Sequence, residues 1–189
     1  ASTTLLRHLS IEGGVFGQYL SSKIEFVQSG ADFVAKNRGS QSSVGLEAIL
    51  RLSFGRASGY GWGSFLWNFG SAPNPPEAYP TLFGLIGGDV DLKEIYLHLN
   101  AQVRIVGPRG ASQSNVTLNN NVAYGIPTYG SFDITLSTVG LHPFGPRTET
   151  RGLFAVRNLT AGTREDPGFA GFDFPSLGVS YYLEAKQTF

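Results

Sequence analysis

Apolar and polar residues alternate with a period of two along most of this chain, and no other feature restricts its fold as strongly. The clearest stretch is residues 95–106. There Ile95, Leu97, Leu99, Ala101, Val103 and Ile105 occupy one face, and Tyr96, His98, Asn100, Gln102 and Arg104 the other. Residues 177–189 repeat the pattern: Leu177, Val179, Tyr181, Leu183, Ala185 and Phe189 oppose Ser180, Tyr182, Glu184, Lys186 and Thr188, with Gln187 alone breaking the apolar row. In 44–54 the apolar set is Val44, Leu46, Ala48, Leu50, Leu52 and Phe54; Glu47 and Arg51 share the other face, where their charges can sit side by side. Phe132, Ile134 and Leu136 oppose Ser131, Asp133, Thr135 and Ser137. Helical periodicity is not sustained anywhere, so the chain is predicted to be all-β.

Weaker segments at 9–20, 23–30, 60–70, 81–92 and 148–159 bring the candidate strands to nine. The connections between them alternate in length. Ser21-Ser22, Arg56 to Gly59, Lys93-Glu94 and His142 to Arg147 are short, whereas 31–41, 71–80, 109–128 and 160–176 are long and rich in Gly, Pro, Asn and Ser. Short turns on one rim and long loops on the other are the arrangement of an antiparallel transmembrane β-barrel, with periplasmic turns and extracellular loops. No repeat beyond the strand period and no linker divides residues 1–189, so one domain is expected.

Alternation also suits a soluble sandwich or barrel with its apolar face inward. Composition decides which face is inside. Charged residues make up 15% of the chain, against about 25% in ordinary soluble domains, and the lysines are only Lys23, Lys36, Lys93 and Lys186. The polar face carries Asn, Gln, Ser, Thr and Gly with spaced opposite charges such as Glu47, Arg51, Arg104, Asp133, Glu184 and Lys186, a set able to hydrogen-bond across a lumen. Lipid offers backbone groups no partners, so a sheet crosses it only when closed. Tyr19, Phe54, Tyr60, Trp67, Phe69, Tyr79, Phe83, Tyr129, Tyr181 and Phe189 stand near strand ends, where interfacial aromatic girdles belong.

Equal numbers of basic and acidic residues, 14 each, argue against nucleic acid as a partner. Without cysteine there are no disulfides or thiolate metal sites. No apolar run is long enough for a membrane-spanning helix, and no signal peptide is recognisable. A start at Ala1 and the absence of methionine fit either a processed mature chain or an excised fragment.

The segments RGLFAVRNLT (151–160), DPGFAGFDFPSLG (166–178) and YYLEAKQTF (181–189) together resemble the end of a TonB-dependent outer-membrane receptor. In that family a penultimate strand ending in an arginine-asparagine-leucine sequence, here Arg157, Asn158 and Leu159, leads through an extracellular loop to a last strand closing on an aromatic residue, here Phe189. Residues 76–92 and 99–115 resemble late barrel strands of such receptors. The resemblance implies a bacterial outer-membrane location, a bilayer and lipopolysaccharide around the barrel, and Phe189 as part of the signal read by the barrel-assembly machinery. A whole receptor, with about 22 strands and a plug, does not fit in 189 residues. The expectation is therefore about eight strands, ten being the other even solution, with residues 1–21 partly outside the regular barrel, and no active transport by the chain alone.

Candidate chemistry is sparse. His98 lies on the polar face, but no nucleophile elbow or metal-spaced histidine pair accompanies it. It is expected to be a hydrogen-bonded lumen residue; His8 and His142 fall near turns. Asp89 and Asp91 share a face and could bind a cation, but two carboxylates without further oxygen ligands are a weak calcium signal, and a solvated rim is the expected reading. The sequons at Asn115 to Thr117 and Asn158 to Thr160 matter only in a eukaryotic secretory setting. The GYGWGSF tract, 59–65, is expected to let strands curve or bulky neighbours pack. Phe169, Phe172 and Phe174 sit in a loop that is either a ligand-contacting tip or self-packed. No catalytic, cofactor or metal residues are predicted, and the ligand is not legible. The expected function is an integral outer-membrane barrel of receptor or transporter type; the alternatives are a membrane-embedded lipid hydrolase and a soluble barrel binding a small apolar ligand.

Overall fold

A computed structural model describes residues 2–6, 8–29, 32–38, 40–70, 79–161, 165–169, 171–175 and 177–188. After β1 (Ser2–Leu6) and β2 (Leu9–Leu20), the chain makes a separate hairpin of β3 (Lys23–Ser29) and β4 (Asp32–Arg38). It returns as β5 (Gln41–Phe54), turns at Gly55-Arg56 into β6 (Ala57–Gly70), and continues through β7 (Leu82–Leu92), a single 3-10 turn (Lys93–Ile95) and β8 (Leu97–Val106). The next long connection holds β9 (Arg109–Gly110), a short helix α1 (Gln113–Leu118) and β10 (Gly125–Ile126). Then come β11 (Tyr129–Thr138), β12 (Glu149–Arg157), the small hairpin β13 (Glu165–Phe169) and β14 (Phe172–Pro175), and finally β15 (Ser180–Thr188).

Nine of these strands form one sheet in the order β1-β2-β5-β6-β7-β8-β11-β12-β15, a meander in which each strand is antiparallel to its neighbours. Eight are long; β1 has five residues. Among the described residues β1 and β15 are the outer strands of the sheet, and no pairing joins them. With nine antiparallel strands they point the same way.

The register carries the alternation across the whole sheet. Ile11, Leu50, Gly61, Ile86 and Val103 form one transverse row, and Ser10, Arg51, Tyr60, Gly87, Gln102 and Asp133 the adjacent row on the other face. The apolar face is open: Val15 is 75% exposed, Ile86 66% and Leu183 79%. Among the described residues the buried apolar side chains are Val106, Ala111, Ile126 and Ala155 alone. A soluble barrel holding an apolar ligand needs its oily residues enclosed; here the apolar rows are largely exposed.

Two expectations about strand pairing and ion pairing change. Ser21-Ser22 is not a short turn between sheet strands. It leads from β2 into the β3-β4 hairpin on the long-loop rim, and β2 runs in the opposite sense to that expected. Residues 9–20, expected to lie partly outside the regular barrel, pair with β5 along all twelve positions. The period-two pattern cannot separate a sheet strand from a hairpin arm; the register does. Second, Arg51 bonds Glu12 on β2 at 2.7 Å rather than Glu47 on its own strand.

Of the aromatics expected at the girdles, Tyr19, Trp67, Phe69 and Tyr181 are exposed at the long-loop rim and Phe54 at the other, where His8 stacks on it at 5.8 Å. Tyr60 and Phe83 instead belong to the polar-side rows, where Phe83 packs edge-on against Trp62 at 5.2 Å.

Candidate functional site

Strands β6, β7, β8 and β11 bring a continuous hydrogen-bonded network together on the polar face. Ser58 donates to Asp89 at 3.0 Å, and Asn100 Nδ2 donates to Asp89 Oδ1 and to the Tyr60 hydroxyl, both at 2.8 Å. Tyr60 donates to Gln102 Oε1 at 3.2 Å. Gln102 Nε2 donates to Asp133 at 3.2 Å, and Asp133 also accepts from the Asn158 backbone N–H at 2.8 Å. Pairing of each polar group leaves the strands rigidly registered, because an unmatched partner in a confined site costs about 1–3 kcal/mol.

His98 is part of this wall. Its Nδ1 lies 2.7 Å from Asp91 and its Nε2 3.3 Å from Asp89. Ser137 stands opposite it across β8 and β11, but no hydrogen bond joins them among the described residues. Both ring nitrogens face carboxylates, so neither is placed to take a proton from a hydroxyl. Asp89 and Asp91 are spent on His98, Ser58 and Asn100, and no group of three or more candidate ligands is arranged to hold a metal among the described residues.

On the long-loop rim the connections build a second cluster that the sequence did not disclose. Asn115 in α1, 1% exposed, donates to the Phe172 carbonyl at 3.0 Å and to Asp173 at 3.0 Å, and accepts from Gly171 N–H at 2.9 Å. Tyr124 donates to Asp173 at 2.8 Å. Burial first, and the bond to Asp173 second, push the Tyr124 hydroxyl above the ordinary tyrosine range. Ser112 caps α1 by accepting from Asn115 N–H and also donates to the Gly168 carbonyl. Arg109, its side chain 2% exposed, pairs with Asp166 at 2.5 Å and sits 5.1 Å above the Tyr129 ring. A cavity of about 550 Å³ opens between Tyr79, Thr81, Arg109 and Tyr124.

Asn115 and Asn158, at 1% and 4% exposure, are too enclosed to carry a glycan. Phe172 and Phe174 are exposed at the hairpin, and Phe169 is described in its backbone alone. Phe189, expected to carry the assembly signal, lies outside the described residues. On the opposite rim Arg56 pairs with Glu94, whose carboxyl is held below the ordinary range by its own backbone N–H and then by Arg56.

Solved structures share this arrangement of strands. The FrpB iron transporter from Neisseria meningitidis superimposes with a TM-score of 0.72 at 13% identity, over 96% of this chain and 28% of its own. The ferric-catecholate import receptor Fiu from E. coli K12 gives 0.69 at 12% identity, over 97% and 25%. The copper transporter OprC gives 0.73 at 14% identity, over 95% and 29%. This is the fold of part of a TonB-dependent receptor barrel. The chain thus spans between a quarter and three tenths of the length of these receptor-type barrels. No family model and no curated protein sequence matches it.

Proposed function

We propose that the chain forms wall and loop surface of an integral barrel of receptor or transporter class in the bacterial outer membrane. The observation that carries this reading is the inside-out sheet: exposed apolar rows opposite a hydrogen-bonded polar face. The barrel fold supports it, as does the alternation of short and long connections. Direct joining of β1 to β15 would give a parallel seam, so all-antiparallel closure needs an odd number of further strands. On this reading the chain does not transport actively by itself; its long-loop cluster supplies a ligand-facing surface. Assembly would pass through the barrel-assembly machinery, with Phe189 in the recognised terminus, and lipid and lipopolysaccharide would surround the apolar face.

The test is reconstitution. The purified chain should require detergent and float with lipid vesicles, protected from protease except at its loops. A monodisperse, detergent-free protein with its apolar rows shielded from solvent would refute the proposal.

A further inference from the structure

Two arginines on the polar face have no hydrogen-bond or ion-pair partner among the described residues. Arg104 of β8 and Arg157 of β12 flank β11, two inter-strand spacings apart and staggered along it by the register, ~12 Å between their backbones. Among the described residues neither makes a hydrogen bond or ion pair, and the buried Nε of Arg104 is unsatisfied. Both line a cleft of about 270 Å³ with Ser131, Asp133, Thr135 and Ser180. Asp133, the carboxylate within it, accepts from neutral donors, Gln102 and the Asn158 backbone. Two guanidinium groups therefore face one carboxylate, and the cleft carries a net positive charge. Ser131, 3% exposed, adds a buried hydroxyl at its floor.

We propose that this cleft binds inorganic phosphate. Its volume falls below the ~300–1,000 Å³ typical of pockets for drug-sized ligands and suits a hydrated ion. Guanidinium forks match the oxygen edges of an oxyanion, and a buried unsatisfied N–H calls for an acceptor. Asp133 decides which oxyanion. A carboxylate has about four lone-pair sites; two are occupied, so one can accept from a P–OH group. Phosphate keeps at least one proton at neutral pH; sulfate and acetate keep none and meet Asp133 as a bare negative charge. The inference rests on the geometry of the polar face and not on the receptor reading.

The test is calorimetric titration of the full chain in detergent micelles with inorganic phosphate at neutral pH, ionic strength being held by chloride. One saturable site per chain is expected. Arg104→Gln and Arg157→Gln should each weaken it by about tenfold or more, whereas Arg104→Lys, which keeps the charge but not the fork, should retain part of the affinity. Arg151→Gln, whose guanidinium pairs with Glu149 outside the cleft, should leave binding unchanged. Sulfate and acetate should each bind about tenfold more weakly or worse. Heats indistinguishable from chloride, Gln variants that bind like the parent with native circular dichroism, or sulfate or acetate binding as tightly as phosphate would each overturn the assignment. Vesicle insertion of the same preparation is scored separately, so a chain that inserts but ignores phosphate overturns this inference alone.

Discussion

Tyr60 occupies the space that a side chain at Gly87 would need: a Cβ there would stand 2.6 Å from the Tyr60 Cζ and hydroxyl oxygen. Because residue 87 is bare, the ring crosses β7 and reaches Asn100 and Gln102 on β8. Gly87→Ala should therefore destabilise the sheet by about 1–3 kcal/mol through overpacking. Tyr60→Phe should cost about 1 kcal/mol through the lost hydroxyl bonds. Urea unfolding in vesicles measures both. In the Tyr60→Ala background Gly87→Ala should become nearly neutral, and an undiminished cost there would show that the two residues are not coupled.

The faces of β8 and β11 predict opposite responses to charge. Val103→Arg places a guanidinium on the apolar face in the interior of β8 and should cost ~2–4 kcal/mol near the bilayer midplane, blocking insertion. Thr135→Arg, opposite Asn100 on the polar face, should insert nearly as well as the parent. Equal flotation losses for the two variants would contradict the assigned faces.

Asn115 ties the 109–128 connection to the β13-β14 hairpin through three polar contacts in a buried site. Asn115→Leu leaves those partners unsatisfied and should cost the cluster about 1–3 kcal/mol. Proteolysis of these two loops should accelerate while the unfolding midpoint of the sheet stays put. Loss of both together would mean that the cluster and the sheet form one cooperative unit.

Tyr124 gives the cluster an alkaline limit. Its folded pKa lies above the unfolded value of about 10. The contribution of the protonated hydroxyl is therefore fully present below that unfolded value and is lost as pH rises through the folded one. Loop proteolysis followed against pH should show a rise at that upper limit in the parent chain. Tyr124→Phe, which has no proton to lose, should lack the step; identical profiles would remove Tyr124 from the latch.

Some of this site was legible and some was not, for reasons that particular residues make plain. His98, Asn100, Gln102 and Asp133 could be placed on the polar face because alternation alone assigns a face. Their partners could not be named, since Tyr60 reaches them only through a register that sets Gly87 opposite it. Tyr60 and Phe83 looked like girdle aromatics by position along their strands, but the face each occupies follows from pairing. The six residues of α1 are too few for a helical period to show, and Ser112 as its cap was the only local signal. Arg104 and Arg157 are 53 positions apart by their numbers and meet at one cleft because two strand pairings bring them there.

By itself the sequence determined the all-β class, the oily and wet sides of its clearest strands and the alternation of short and long connections, because each is written in a period of two and in local turn chemistry. Only the tertiary structure decided which segments join the sheet, which polar groups find one another and which arginines are left over. Those depend on strand register and on contacts between loops distant in the chain, and a local pattern carries no information about either.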